Sequence, residues 1–99
     1  MIDLNTVVGF EWDDGNARKS SDKHDVTQSE AEQVFFNSPL FVLLDEKHRK
    51  QEILYHALGN KDSGRQLHIT FTLRADDTLI RVISARDMHR KERAVYEQA

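Results

Sequence analysis

Apolar and polar positions alternate most regularly late in the chain. Leu67, Ile69, Phe71 and Leu73 are separated by His68, Thr70 and Thr72. A period of two sends successive side chains to opposite faces, so this stretch predicts a strand buried on one side. After the Asp76-Asp77 turn, Leu79 to Ala85 predicts another strand. Plain alternation there puts Ile80, Val82 and Ser84 on one face and Arg81, Ile83 and Ala85 on the other. Upstream, Phe41 to Leu44 is apolar and β-compatible, Asp45 to Gln51 is a charged connection, and Ile53 to Leu58 is a further strand. The run Gly59-Asn60-Lys61-Asp62-Ser63-Gly64 is a turn. Consecutive strands on short turns predict an antiparallel meander.

The first part of the chain has a different rhythm. Val7 to Trp12 is a short strand or extended segment, and Asp13-Asp14-Gly15-Asn16 breaks it and can cap a short, polar helix over Ala17 to Lys23. Thr27 is a plausible N-cap for a second helix, with Glu30 in the capping-box position and Ala31, Val34 and Phe35 forming an apolar stripe. Asn37-Ser38-Pro39 ends that helix, because proline cannot continue the hydrogen-bond ladder. Asp87 can cap a last helix over Met88 to Glu97. The predicted order is strand, two helices, meander and terminal helix, an α+β fold with residues 1–99 as one domain.

The composition, 38% hydrophobic and 31% charged, is ordinary for a soluble domain. No apolar run approaches the roughly 20 residues that span a bilayer. Met1 to Phe10 has no basic residue and no signal-cleavage pattern, so a cytoplasmic, membrane-free protein is expected. The absence of cysteine excludes disulfides, cysteine-based zinc sites and thiol catalysis.

A net charge of -3 argues, taken alone, against a nucleic-acid binder. The distribution says more. Residues 1–17 hold Asp3, Glu11, Asp13 and Asp14 and no base, whereas residues 81–93 hold Arg81, Arg86, Arg90, Lys91 and Arg93 against Asp87 and Glu92. A polyanion could bind the basic end locally despite the acidic total.

The strongest candidate chemistry lies in Arg81-Val82-Ile83-Ser84-Ala85-Arg86. Guanidinium forks bind phosphate oxygens bidentately and stay charged at any working pH. Five residues of simple alternation would part Arg81 from Arg86, unless the strand end turns both toward one cleft. Ser84 could add a hydrogen bond. The competing reading is a solvated strand end with surface arginines. A second cluster, Arg18, Lys19, Lys23 and His24, sets basic groups one helical turn apart beside an imidazole able to act as acid or base. The same residues would also suit a helix C-terminus for its dipole alone. Phe10-Glu11-Trp12-Asp13 offers either an aromatic surface for base stacking or a core tryptophan. His48, His56, His68 and His89 lack the H-E-x-x-H spacing, and neither a P-loop nor G-x-G-x-x-G nor G-x-S-x-G occurs. No metal and no cofactor is expected.

Taken in order, several segments resemble one family. Phe10-Glu11-Trp12-Asp13, Asn16 and Lys23-His24 are similar to the F-E-W-D…N…K-H opening of the BrnT toxins. Val26 through Glu30-Ala31-Glu32 to Val34-Phe35 resembles their second helix, and Asn37-Ser38-Pro39-Leu40 its exit. Gly64-Arg65 with Leu67, and Thr72 with Arg74, are similar to the central strands. Arg81-Val82-Ile83-Ser84-Ala85-Arg86, Arg90-Lys91-Glu92-Arg93 and Tyr96-Glu97 resemble the R-I-I-S-A-R…R-x-E-R…Y-E ending. Asp25 stands where the family commonly has glycine, a position aspartate can fill because it tolerates the left-handed region. Gln28 and Ser29 replace a common aromatic and a common acidic residue.

The resemblance implies a RelE-like fold and a metal-independent ribonuclease toxin. It implies a type II pair with a DNA-binding BrnA-type antitoxin, whose complex with the toxin sits on operator DNA, and a halt of translation by free toxin. On these terms Arg74, Arg81 and Arg86 would stabilise the phosphate, and Lys23 or His24 would move the proton, with Glu11 and Glu52 as weaker base candidates. Trp12, Lys19, Arg65 and Ser84 would help hold RNA. The alternative is a catalytically silent protein that acts only within an antitoxin–operator complex.

Overall fold

The computed structural model describes residues 4–12, 25–45 and 53–98. A 3-10 turn at Leu4–Thr6 leads into β1 (Gly9–Glu11). Helix α1 (Gln28–Val34) comes next, then four strands in succession: β2 (Phe41–Asp45), β3 (Leu54–Asn60), β4 (Gln66–Arg74) and β5 (Leu79–Asp87). Helix α2 (Arg90–Glu97) closes the described chain. One five-stranded sheet runs β1-β5-β4-β3-β2. Its meander is antiparallel, as alternation predicts, but β1 joins β5 in parallel, making the sheet mixed. A parallel neighbour is available here because more than sixty residues separate the two strands in sequence. The predicted helix over Ala17 to Lys23 lies outside the described residues.

Helix α1 starts as its sequence predicts. The Glu30 N–H donates to Thr27 Oγ1 at 3.2 Å and the Thr27 N–H to Glu30 Oε1 at 3.0 Å, which satisfies two amides that a helix start leaves open. Ala31 and Val34 are fully buried against the sheet, with Phe35 packed beside them. Phe35 meets Phe71 edge-on at 5.1 Å between ring centroids, and Phe10 at 5.7 Å. Leu67, Ile69, Phe71, Ile80, Val82 and Ala85 complete this core. Asp25, with φ 55°, does take the left-handed conformation, and its carbonyl accepts from Arg65 Nη1 at 2.8 Å.

The sheet's other face carries α2. Tyr96 packs with Leu58, Met88 and Phe41, and its hydroxyl donates to the Pro39 carbonyl at 2.6 Å while accepting from Asn60 Nδ2 at 2.8 Å. Asp87 does not cap this helix: β5 runs through Asp87, and the N-cap is His89.

A bulge corrects the predicted facing of β5. Thr70 pairs with Ser84 but Phe71 pairs with Val82, so Ile83 is the extra residue. Parity flips there. Ile80 and Val82 face α1, as does Ala85, while Arg81, Ser84 and Arg86 share the opposite face. Among the described residues, no helix is long and apolar enough to cross a membrane.

Candidate functional site

The bulge gathers the chemistry on the α2 side of the sheet. The cross-strand pairs Thr72–Arg81, Thr70–Ser84 and His68–Arg86 lie in sequence along it. At roughly 3.3 Å per residue, Arg81 and Arg86 are about 13 Å apart along the ladder. Arg74, at the far end of β4, extends the same row.

A cleft of 520 Å³ opens at the Arg86 end. Leu43, Leu58 and Val95 supply apolar wall, and Arg86, Lys91 and Glu92 stand with His56 and His68 around it. Its position follows from three local facts. His56 and His68 occupy alternate positions on paired strands, α2 brings Glu92 back over β5, and edge strand β2 contributes Leu43.

Arg86 is held by Glu92 through two parallel bonds, Nη1 to Oε1 at 2.9 Å and Nη2 to Oε2 at 3.0 Å. Burial alone would raise the Glu92 pKa, but the Arg86 bonds and the His89 N–H outweigh it and hold the carboxyl at about 2. Glu92 therefore occupies, as a planar anion, the fork a phosphate would use.

Beside this pair the two imidazoles stack, with ring centroids 4.9 Å apart. His68 Nε2 lies 3.0 Å from His56 Nδ1, Thr70 Oγ1 lies 3.1 Å from the same Nδ1, and His56 Nε2 lies 2.8 Å from Asp45 Oδ2. Burial, then the neighbouring Arg86 charge, push the His68 pKa down to about 4, so its ring is neutral near pH 7. Sequence reading placed His68 on the polar side of its strand but missed the trio. Only the β3–β4 register and the return of β2 bring Asp45, His56 and His68 together.

The remaining expected residues are distributed more widely. Arg81 Nη1 pairs with Glu11 Oε2 at 3.2 Å across the parallel β1–β5 junction. Arg65 grips Asp87 through Nε at 2.7 Å and Nη2 at 3.1 Å, which raises the arginine pKa and lowers that of the aspartate. With its contact to the Asp25 carbonyl, Arg65 ties the start of α1 to the end of β5. Trp12 is half-buried against the core, its indole N–H donating to Glu32 Oε2 at 2.8 Å. Lys19, Lys23, His24 and Glu52, and Arg18 beside them, lie outside the described residues. Among the described residues no three His, Asp or Glu side chains gather as metal ligands.

A mixed five-stranded sheet with two short helices and arginines along one face defines a small α+β protein with the fold of a known ribonuclease toxin. One solved structure with this fold is that of the Brucella abortus ribonuclease toxin, BrnT, at 1.1 Å resolution. It superposes with a TM-score of 0.62 over 85% of this chain and 100% of that one, at 14% sequence identity. No curated protein sequence matches the chain. The family model described as ribonuclease toxin, BrnT, of type II toxin-antitoxin system matches residues 12–92. The chain therefore belongs to the BrnT family of type II ribonuclease toxins.

Proposed function

We propose that the chain is a metal-independent endoribonuclease with a RelE-like arrangement, acting as one domain in the cytoplasm and halting translation by cutting RNA. The observation that carries this reading is the bulge at Ile83, which turns Arg81, Ser84 and Arg86 onto one sheet face and sets Arg86 at the mouth of a cleft. The nucleophile is the RNA's own 2′-hydroxyl. Attack on phosphorus accumulates negative charge on the phosphoryl oxygens, and a guanidinium already fixed at that place lowers the barrier without reorganising. Arg86 binds the reacting phosphate in exchange for Glu92. Arg81 and Arg74 follow the adjoining backbone, and Ser84 adds a hydrogen bond. Lys23 or His24 takes part in proton transfer, with Lys19 on the same segment holding RNA. Trp12 and Arg65, engaged with Glu32 and Asp87, act on RNA indirectly by bracing the site.

Membership of a type II family implies an antitoxin. We assign a DNA-binding protein of the BrnA type, which covers the toxin and carries it to operator DNA. A second reading is favoured by one observation: Arg65, Arg81 and Arg86 all already face carboxylates. In that version the chain is catalytically silent and acts only by assembling with its antitoxin.

Purified protein incubated with total RNA in EDTA separates the two. Cleavage leaving 2′,3′-cyclic phosphate ends, reduced about 10²–10³-fold in Arg86→Ala, supports the ribonuclease and its arginine. Intact RNA at all protein concentrations, with ribosomes present, moves the assignment to the silent partner.

A further inference from the structure

We propose that His68 is the general base of the cleavage reaction and that Asp45 and His56 are positioning residues that fix its tautomer. This inference rests on the ribonuclease reading above. Asp45 is an acceptor only, so His56 Nε2, 2.8 Å away, carries the hydrogen. In the neutral ring His56 Nδ1 then has one lone pair, which accepts from His68 Nε2 at 3.0 Å and is shared, in a three-centre arrangement, with the Thr70 hydroxyl at 3.1 Å. With its hydrogen on Nε2, neutral His68 is left with a bare lone pair on Nδ1. That nitrogen is buried and has no hydrogen-bond partner among the described residues. The opposite tautomer would set two lone pairs against each other across the 3.0 Å His68–His56 contact, and would bury an unreceived N–H as well. Asp45 is itself largely buried, its side chain 10% exposed, so it holds His56 as the buried carboxylate of a catalytic triad holds its histidine.

The last ring of this relay stands in the wall of the cleft, with Nδ1 itself covered. His68 is 9% exposed, lines the cleft, and stands directly across the ladder from Arg86. A phosphodiester seated on Arg86 brings its ribose to the His68 wall, because the 2′-oxygen is tied to the phosphate through only two ribose carbons and the 3′-oxygen. For the step to occur, Nδ1, covered in the free protein, must be uncovered as Arg86 moves from Glu92 to phosphate. His68 Nδ1 takes the 2′-hydroxyl proton as the 2′-oxygen bonds to phosphorus. The bond from phosphorus to the 5′-oxygen breaks, and that oxygen takes a proton from water. The hydroxide so formed returns His68 to its neutral form.

Two measurements test this. Nitrogen-15 NMR of the free protein at pH 7 should show hydrogen on Nε2 of both His56 and His68, and none on His68 Nδ1. A protonated His68 Nδ1 overturns the relay, whether or not RNA is cut. Single-turnover cleavage by His68→Asn should fall about 10²-fold, the low end of the range for a lost general base, since a ring this weakly basic is a weak proton acceptor. Its Kd for an uncleavable 2′-O-methyl RNA should stay at the wild-type value. Asp45→Asn, at the far end of the relay, should slow cleavage with the same unchanged Kd, and serves if His68→Asn does not fold. Wild-type cleavage with either folded variant at full rate sinks the base assignment alone. RNA left intact by the wild type sinks the ribonuclease reading and the base with it.

Discussion

Burial of His68 should make the fold acid-labile in a defined window. The folded protein holds this imidazole at about 4, against an ordinary value of 6.5. A depressed histidine favours folding above its unfolded pKa, where both states are neutral. As the pH falls from 6.5 toward 4, the unfolded chain takes up a proton that the folded chain refuses, and stability is lost. Below the folded pKa no more is lost from this group. The full shift corresponds to about 3 kcal/mol, of which about 2 kcal/mol is gone by pH 5. Against a typical total of roughly 5–15 kcal/mol that is a readily measured fraction. Glu30 and Glu92, each lowered from 4.5 to about 2, contribute in a different window. Their stabilisation is present above 4.5 and drains away only as pH falls from there toward 2. Urea unfolding at pH 7.5 and pH 5.0, for the wild type and His68→Asn, isolates the histidine. The wild type should lose about 2 kcal/mol more than the variant between the two conditions. Equal losses in both proteins would refute the burial argument, because the remaining histidines are common to the pair.

Two further perturbations probe the packing on either side of the sheet. A Cβ at Gly59 would come 2.6 Å from Val34 Cγ1, so Gly59→Ala should force α1 off β3 and cost about 1–3 kcal/mol in urea unfolding; an unchanged midpoint would show that the helix can yield freely. Tyr96→Phe leaves the ring against Phe41 but strips the hydroxyl from the Pro39 carbonyl and Asn60, and should lower stability by about 1–3 kcal/mol, read as a fall in Tm.

Local patterns in the sequence carried much of this architecture. The Thr27–Glu30 box, the Ala31–Val34–Phe35 stripe and the alternation from Leu67 to Leu73 each depend on near neighbours, and the structure holds all three. The bulge was not legible, because one extra residue in β5 is defined only by what β4 places opposite it. Pure alternation therefore put Ser84 with the core residues and separated Arg81 from Arg86. The Asp45–His56–His68 chain was hidden for a related reason: it depends on the registers of two strand pairs at once. Arg65 and Trp12 were legible as residue types suited to RNA, but their partners Asp87 and Glu32 lie about twenty positions away in sequence and take up the groups that made them candidates.

The parallel seam between β1 and β5 has a consequence for how the protein comes into being. Glu11 is made some 70 residues before Arg81, its partner across that seam. At roughly 5–20 residues per second, synthesis leaves β1 waiting on the order of 4–14 s for its neighbour. The meander can pair hairpin by hairpin as it emerges, but the edge strand cannot dock until β5 exists. Arg86 and Glu92 arrive later still. The cleft is thus assembled after the rest of the sheet: Leu43, His56 and His68 stand in place before α2 can bring Glu92 and Val95 over them.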